Sequence, residues 1–246
     1  MRIVAAIPAR LDSTRLPKKL LRDICGKSLI VRTHEAVVNS NLFDDVIVIT
    51  NSREIISELE NGKINYIFDN ANYETGTDRI AGVASKIEAD IIINVQGDEP
   101  FINSNTIQSI LNVFTNDKEN GIGVISVMTT IKDEKELKNP NNVKVFTDVN
   151  NNAIYFSRYS IPFKSNLNIS KAHKHVGVYA FRKKSLIEFA KLKVGELESS
   201  EKIEALRLIE NDIKIKMINS NETFVGIDTE EDIKKAIKIF CEKGNL

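Results

Sequence analysis

The chain has 246 residues, and its 34 lysines and arginines are balanced by 34 aspartates and glutamates. This length suits one α/β domain with a substantial core, and the balanced charge gives no reason to expect a nucleic-acid partner. No apolar run is long enough to span a membrane, so we expect a cytoplasmic protein without a membrane partner. Cys25 and Cys241 form no metal-binding pattern; one bridge is possible, but we expect reduced thiols.

Strand-like and helix-like segments alternate through the first half of the chain. Short apolar runs predict strands over residues 2–7, 45–50, 64–68, 90–95 and 122–128. Helical spacing and capping signals predict helices from Ser28, from Ser52, over 76–87 with Thr77 as N-cap, and over 103–114. This βαβ order indicates a mostly parallel, twisted central sheet with helices on both faces.

The alternation changes after Thr130. Residues 132–143 are polar and irregular, and two strands around the turn "VNNN" are expected to pair. Further elements are predicted as a strand over 174–181, an amphipathic helix over 197–210, a half-exposed strand over 212–218 and a last helix capped by Thr229. We expect this segment to form a smaller mixed α/β lobe of one compact domain.

Cations and hydroxyls crowd the loop that follows the first strand. They are Arg10, Ser13, Thr14, Arg15, Lys18 and Lys19. Open α/β sheets bind ligands beyond the carboxyl ends of their strands, and guanidinium groups bind phosphate through paired hydrogen bonds. We therefore expect the loop to hold a nucleoside triphosphate, with a solvated basic loop as the alternative. The sequence contains neither GxGxxG nor GxxxxGK[ST] here, which argues against a dinucleotide fold and a Walker-type NTPase.

Two carboxylates are candidates for a metal site. Asp98, in "VQGDEP", follows the fourth strand, where Gly97 is expected to allow a sharp turn. A carboxylate facing a phosphate-binding loop needs a cation between them, and hard oxygen ligands favour Mg²⁺. Asp228, in "GIDTEEDI", is the second candidate. The alternative for each is ordinary capping of the next turn or helix.

Six motifs occur in order over nearly the whole chain: "IPAR…STRLP.K", "TGTDR", "NVQGDEP", "YFSR..IP", "H.GVYAFR" and "GIDTEEDI". Together they resemble the 3-deoxy-manno-octulosonate cytidylyltransferase family, the CMP-Kdo synthetases of lipopolysaccharide assembly. The resemblance implies a Rossmann-like nucleotidyltransferase fold, a Mg²⁺-dependent transfer of CMP from CTP to the sugar acid Kdo, and a homodimer. It also divides the domain into a nucleotide-binding half (1–130), a sugar-binding and dimerisation lobe (131–225) and a metal-ligand loop with its helix (226–246).

The resemblance also implies roles for particular residues. The nucleotide site would comprise Arg10, Ser13, Arg15, Lys19, Arg79 and Gln96. The sugar site would comprise Gln96, Arg158, His175, Tyr179 and Glu204. Asp98 and Asp228 would hold Mg²⁺, and Lys19, Asp98 and Arg10 would carry catalysis. His175 and Tyr179 are four positions apart on one predicted strand, so they are expected to share a face.

The sequence departs from the family pattern at a few positions. Lys18 and Leu20 are unusual in the first loop, and Ala205 replaces a glutamine that commonly follows Glu204. This last change bears on the sugar, so a cytidylyltransferase for 8-amino-Kdo or a sialic-acid-like sugar is the alternative. A sugar-1-phosphate pyrophosphorylase would have a glycine-rich first loop, and a non-enzymatic nucleotide sensor would not need Lys19, Asp98 and Asp228.

Overall fold

A computed structural model of the chain describes residues 1–11, 13, 16–102, 104–161, 172–222, 224 and 226–243. These residues form two compact units, Met1–Ser104 with Thr223–Leu246, and Asn105–Glu222. The bounds of the units differ from those of the halves expected from sequence, whose division by substrate stays a prediction. Within the described ranges, no helix combines the length and the apolar character that a membrane span requires.

The first unit is built on parallel strands. Its strands are β1 (Ile3–Ala9), β2 (Asp45–Thr50), β3 (Tyr66–Phe68) and β4 (Ile91–Asn94). Its helices are α1 (Leu29–Asn39), α2 (Arg53–Asn61), α3 (Gly76–Val83) and α9 (Glu230–Lys243), with short 3₁₀ turns at Lys19–Leu21 and Ala84–Lys86. The strands follow the order β3-β2-β1-β4, and each neighbouring pair is parallel. The apolar β1 and β4 form the centre of the core, which explains their continuous hydrophobic runs.

The capping predictions in this unit are partly confirmed. Ser52 caps α2, where its Oγ accepts a hydrogen bond from the amide of Ile55 at 3.3 Å. The prediction that Thr77 caps α3 was wrong, because Thr75 is the N-cap and its Oγ1 accepts from the amide of Asp78 at 3.1 Å. Thr77 lies inside the helix, buried, where it accepts from the side-chain amide of Asn94 at 3.0 Å. The sequence pattern did not distinguish Thr75 from Thr77, because both lie within three positions before Asp78.

The second unit is mixed. Its strands are β5 (Val124–Thr130), β6 (Lys144–Thr147), β7 (Ala153–Ser157), β8 (His173–Arg182) and β9 (Ile215–Asn219). Its helices are α4 (Ser104–Asn116), which starts at the unit boundary, α5 (Glu134–Lys138), α6 (Lys183–Phe189), α7 (Glu196–Glu201) and α8 (Ala205–Glu210). β5 pairs in parallel with β9 and antiparallel with β8, and β6 pairs antiparallel with both β7 and β8. The predicted pairing of the strands around "VNNN" is confirmed.

Two local predictions in this unit were wrong. The single helix expected over 197–210 is two helices, because Lys202 adopts a left-handed conformation with φ 55° and ends α7. The segment expected to be irregular contains α5, which begins where Asp133 accepts a hydrogen bond from the amide of Glu136. Amphipathic spacing continues across a break of this kind, so the pattern did not reveal it.

The prediction of reduced thiols was also wrong. Cys25 and Cys241 form a disulfide, with their Cα atoms 6.0 Å apart. The two cysteines are separated by 216 positions, so their spacing carries no information about contact. The packing of α9 brings them together, because the Phe240 ring stacks on Phe101 at 5.2 Å between centroids and lies under the guanidinium of Arg32.

Candidate active site

Two loops of the first unit meet at the carboxyl edge of its parallel sheet. The register pairs Ala6 of β1 with Asn94 of β4, so the loops that follow these strands leave the sheet at the same edge. Both loops border a cavity of about 270 Å³. Seven of the predicted site residues line it: Arg10, Ser13, Lys19, Arg79, Gln96, Asp98 and Asp228. Thr14 and Arg15 lie outside the described residues.

Lys19 stands at the centre of the charged part of this cavity. Its ammonium nitrogen lies 2.5 Å from a carboxylate oxygen of Asp98 and 2.9 Å from one of Asp228. Lys19 is buried, whereas parts of both carboxylates are exposed. The amide of Ile227 donates to the carbonyl of Asp98 at 2.9 Å, so a backbone bond also joins the two acidic loops. The two acids lie 79 and 209 positions from Lys19 in the sequence, and both accept a hydrogen bond from its ammonium group.

The protonation states follow from this geometry. Burial alone would lower the pKa of Lys19, but the charges and hydrogen bonds of Asp98 and Asp228 outweigh burial and raise it. Lys19 is therefore cationic at neutral pH. Glu99 was not predicted from sequence, and burial, followed by repulsion from Asp98 and Asp228, raises its pKa to about 7. Its position beside Asp98 in "GDEP" was the only sequence signal for it.

Two glycines let the backbone approach the cavity closely. A Cβ on Gly76 would lie 2.9 Å from Pro8 and 3.2 Å from the side-chain oxygen of Gln96. A Cβ on Gly97 would lie 3.1 Å from the carbonyl oxygen of Pro8. The φ of Gly97 lies outside the left-handed region. The expected turn at Gly97 is confirmed, because the amide of Glu99 donates to the carbonyl of Gln96 at 3.1 Å across it. Close packing against Pro8, rather than a left-handed φ, is the physical reason for glycine there.

The remaining cations of this cavity approach from different elements. Arg10 is exposed, and its guanidinium donates to the carbonyl of Glu74 at 3.2 Å. Arg79, in α3, is buried and lies over the ring of Tyr73. Lys18 points away from the cavity and forms an exposed ion pair with Glu54 at 2.6 Å. The two adjacent lysines therefore have different surroundings, and only Lys19, the one that the resemblance assigns to the nucleotide site, lines the cavity.

The donor set of the cavity fits a magnesium ion. Asp98 and Asp228 each place a carboxylate oxygen within 2.9 Å of the same position, the one that the ammonium nitrogen of Lys19 occupies. Magnesium is commonly held by one or two carboxylates together with substrate phosphates. Among the residues that the structure describes, no group of three or more histidines, cysteines and acidic residues is arranged to hold a metal without such help.

A second polar cluster lies in the second unit around His175. Its Nε2 is 2.8 Å from the Oγ of Ser126, which itself donates to the carbonyl of Val178 at 2.8 Å. Ser126 therefore accepts from Nε2–H, and Nδ1 is left as a hydrogen-bond acceptor. The imidazole packs against Phe156 and Tyr179, with ring centroids 5.0 and 5.2 Å away. No sequence feature singled out Ser126, because a serine within an apolar strand is common.

Burial controls both titratable rings of this cluster. It lowers the pKa of His175 to about 4, so the imidazole is neutral at physiological pH. Burial, with the charges of Glu204 and Glu198, raises the pKa of Tyr179 well above its ordinary value. The contact between His175 and Tyr179 confirms that they share a face of β8.

Arg158 follows β7, and backbone carbonyls surround its guanidinium. Nε donates to the carbonyl of Glu201 at 2.8 Å, and the two Nη atoms donate to Pro140 at 3.1 Å and Lys202 at 3.3 Å. The carboxylate of Glu201 accepts from the amide of Arg158 at 2.9 Å. Arg158 thus ties the end of α7 to a neighbouring loop. Its assignment to the sugar site stays a prediction.

Glu204 precedes α8 and stands next to a buried ion pair. The carboxylate of Glu198 binds the guanidinium of Arg207 through two bonds of 2.7 Å, and both residues are buried. This pair joins α7 to α8 around the break at Lys202. Ala205 is fully buried at the start of α8. The position that commonly carries glutamine in the family therefore packs into the protein here.

Comparison with known proteins identifies the family of the chain. The family model described as "Cytidylyltransferase" matches residues 4–215. A 3-deoxy-manno-octulosonate cytidylyltransferase of Christiangramia forsetii is 45% identical over 97% of this chain and 96% of its own length. One of Flavobacterium johnsoniae is 44% identical over 96% of this chain and 97% of its own.

A solved structure gives the same result for the fold. A CMP:2-keto-3-deoxy-manno-octonic acid synthetase complexed with CTP matches with a TM-score of 0.91 and 32% identity, over 99% of this chain and 100% of the other. The predicted α/β fold, with a mostly parallel, mixed central sheet flanked by helices, is thereby confirmed. The chain belongs to the cytidylyltransferase family, among its 3-deoxy-manno-octulosonate cytidylyltransferases.

Proposed function

We propose that the chain transfers CMP from CTP to the anomeric hydroxyl of Kdo, which gives CMP-Kdo and pyrophosphate for lipopolysaccharide biosynthesis. The observation that carries the proposal is the contact of Lys19 with Asp98 and Asp228, in a cavity that also receives Arg10 and Arg79. Paired acids and several cations in one cavity suit a polyanionic substrate with a metal ion. The close relatives of this chain, which carry that enzyme's name, support the choice of substrates.

The reaction is an in-line attack by the sugar hydroxyl on the α-phosphorus of CTP, and the P–O bond to the leaving pyrophosphate breaks. The protein's contribution is to position the reactants and neutralise charge. Arg10, Ser13, Arg15 and Lys19 would bind the phosphates, and Arg79 and Gln96 would complete the nucleotide site. Since Lys19 is cationic, it can follow the developing negative charge on the pyrophosphate.

Asp98 and Asp228 would hold Mg²⁺. When bound, the ion would neutralise phosphate charge and act as a Lewis acid. The ammonium of Lys19 contacts both carboxylates in this structure. A metal held by the same oxygens would compete with Lys19, whose ammonium would then be available to the phosphates.

The sugar acid would be bound by Arg158, His175, Tyr179 and Glu204, with Gln96 shared between the two substrates. The neutral His175 can accept a hydrogen bond from a sugar hydroxyl at Nδ1, because Ser126 occupies Nε2. Tyr179, held protonated, can donate or accept a hydrogen bond. Because Ala205 is buried, it offers no group that would recognise a substituent, so a related acidic sugar remains the second candidate.

We further propose a cytoplasmic homodimer. Its support in this chain is an exposed apolar group on the β6–β7 hairpin and the residues that follow it. The members are Phe146, Val149, Ile154 and Tyr159, with exposed fractions of 43%, 98%, 52% and 83%. Patches of this kind commonly mark protein interfaces. Light scattering should give the mass of two chains, and Val149→Asp should shift the mass toward one.

Pyrophosphate release tests the function directly. The purified chain is supplied with CTP, Mg²⁺ and, in turn, Kdo, 8-amino-Kdo and a sialic acid. We expect the highest kcat/KM with Kdo and a CMP-sugar product of the matching mass. A higher value with 8-amino-Kdo or the sialic acid would select the second candidate. Absence of pyrophosphate with every acidic sugar would overturn the proposal.

A further inference from the structure

The loop between β3 and α3, residues Asp69–Thr75, contacts Arg10 and Arg79, the arginines that line the cavity among the described residues. The ring centroid of Tyr73 lies 5.5 Å from the guanidinium carbon of Arg79. The carbonyl of Glu74, the next residue, accepts from the guanidinium of Arg10 at 3.2 Å. One short loop therefore touches the two cations that reach the cavity from β1 and from α3.

Two interactions hold the Tyr73 side chain, one at its hydroxyl and one at its ring face. Its hydroxyl donates to a carboxylate oxygen of Asp69 at 2.6 Å, at the start of the same loop. Burial, together with the bond to Asp69, raises the pKa of Tyr73 to about 12, so the hydroxyl remains a donor at working pH. With the hydroxyl bound to Asp69, the face of the ring lies against the guanidinium of Arg79, and the electrons of an aromatic face attract a cation.

The helix that carries Arg79 is shaped to receive this ring. Gly82 stands one turn after Arg79 inside α3, where glycine is usually unfavourable relative to alanine. A Cβ at Gly82 would lie 2.0 Å from the hydroxyl oxygen of Tyr73 and 2.5 Å from the carbon that bears it. The side chain of Tyr73 occupies the space that a side chain at position 82 would need. This packing explains why a glycine, which weakens a helix, stands at this position.

We infer that Tyr73 is a positioning residue for the nucleotide site, holding Arg79 in place through its ring, with Asp69 and Gly82 fixing the ring. The inference rests on the proposed function, because it takes the ligand of the cavity to be CTP. Without the ring, Arg79 stays attached to α3 but its guanidinium loses the aromatic face that it lies over. The cost then falls on CTP binding and spares the sugar acid.

The test compares Tyr73→Leu, which removes the aromatic ring, with Tyr73→Phe, which removes only the hydroxyl. Tyr66→Leu and Tyr66→Phe are matched controls, because Tyr66 donates its hydroxyl to Glu60 at 2.8 Å and does not line the cavity. Calorimetry with CTP and Mg²⁺ gives the Kd, and initial rates give KM for each substrate. Thermal unfolding checks that each variant is folded.

We expect Tyr73→Leu to raise the Kd and KM for CTP about tenfold, equivalent to about 1.4 kcal/mol. The KM for the sugar acid and kcat should stay within about twofold, and Tyr73→Phe should have a smaller effect than Tyr73→Leu, as expected when the cation–ring contact survives. The Tyr66 variants should bind CTP as the parent protein does. Gly82→Ala should weaken CTP binding on its own and add little in a Tyr73→Leu background, because the displaced group is then absent.

Coupling to Arg79 separates positioning from a general structural role. In an Arg79→Met background, Tyr73→Leu should no longer change CTP binding. The inference is overturned if Tyr73→Leu binds CTP like the parent, if both substrate KM values rise together, or if the loss persists without Arg79. A parent protein that fails to bind CTP would overturn the proposed function as well, so the two failures can be told apart.

Discussion

Lys19 of the first unit and Lys144 of the second are both buried lysines, but they have opposite kinds of partner. Lys19 contacts two carboxylates, which outweigh burial and raise its pKa. Lys144 donates to the backbone carbonyls of Asn139, Asn142 and Arg158, and burial lowers its pKa. Three carbonyl acceptors match the three N–H donors of an ammonium group.

This difference in partners distinguishes a lysine suited to ligand binding, Lys19, from a structural lysine, Lys144. A lysine held by side-chain carboxylates can be exchanged for another cation, because both carboxylates are partly exposed. A lysine held by backbone carbonyls cannot leave without stranding polar groups inside the protein. The first unit thus holds exchangeable charge beside its cavity, whereas the second uses Lys144 and Arg158 to fix loops. Substitutions in the first unit should therefore impair turnover, and those in the second should also impair stability.

The largest effect on turnover is expected for Asp98→Asn. Losing one charged ligand should lower kcat by about a thousandfold, corresponding to roughly 4 kcal/mol of lost transition-state stabilisation. The unfolding midpoint should change little, because asparagine preserves the shape of the side chain. Steady-state rates over a range of Mg²⁺ concentrations provide the measurement. Near-normal activity at limiting Mg²⁺ would show that Asp98 does not hold the metal.

Lys19→Ala should lower kcat/KM by about a hundredfold, the scale of removing one preorganised group that stabilises developing charge. Lys18→Ala is the adjacent control and should stay within about twofold, since its partner is an exposed glutamate and such pairs contribute little. Equal losses in the two variants would contradict the register of the first loop. Lys144→Met extends the comparison to the second unit. It should lower the unfolding midpoint more than Lys19→Ala or Lys18→Ala does.

Arg158→Lys should raise the KM for the sugar acid about tenfold or more and leave the KM for CTP nearly unchanged. The reason is the loss of a charged hydrogen bond, which is worth about 1.5–3 kcal/mol. The substitution should also lower the unfolding midpoint, because three different guanidinium nitrogens bind the carbonyls of Glu201, Pro140 and Lys202, and a single ammonium nitrogen does not replace all three at their positions. Arg182→Lys is the matched control. Arg182 donates to the carbonyl of Ile122 and to Asp117, each at 3.0 Å, so its replacement should reduce stability alone. If Arg158→Lys also reduces stability alone, Arg158 is a structural tie.

The smallest effect on turnover is expected at His175, whose titration bears on stability and its dependence on pH. His175 has a pKa of about 4 in the folded protein and about 6.5 when unfolded, so the unfolded chain binds more protons between these values. Stability should therefore fall as pH drops from 6.5 to 4, by at most about 3 kcal/mol from this residue. Urea unfolding of His175→Gln across this range should show a weaker pH dependence. An unchanged pH dependence would mean that His175 titrates normally.

Much of the first unit could be predicted from sequence, because its signals are local. Continuous apolar runs marked β1, β2 and β4, and the βαβ order placed their following loops at one edge. The motif register also separated Lys19 from Lys18. What sequence could not supply was contact between distant segments, such as the bridge from Cys25 to α9 or the packing of Tyr73 into the space at Gly82.

The second unit was harder to predict for a related reason. The break at Lys202 depends on one left-handed residue, which interrupts a helix without interrupting its apolar spacing. The donors of Arg158 point to carbonyls of Pro140, Glu201 and Lys202, and backbone groups leave no trace in residue identity. An arginine after a strand therefore suggested a ligand, although its visible partners are parts of the fold.

The central claim is that the cavity of the first unit binds a cytidine triphosphate between its cations and its paired acids. Its most direct test is calorimetric titration of the chain with CTP, with and without Mg²⁺, alongside the Asp228→Asn variant and an ATP titration. We predict that CTP binds in preference to ATP, that Mg²⁺ tightens CTP binding, and that Asp228→Asn removes most of the Mg²⁺ effect. Equal binding of CTP and ATP, or a Mg²⁺ effect that Asp228→Asn leaves intact, would contradict the account.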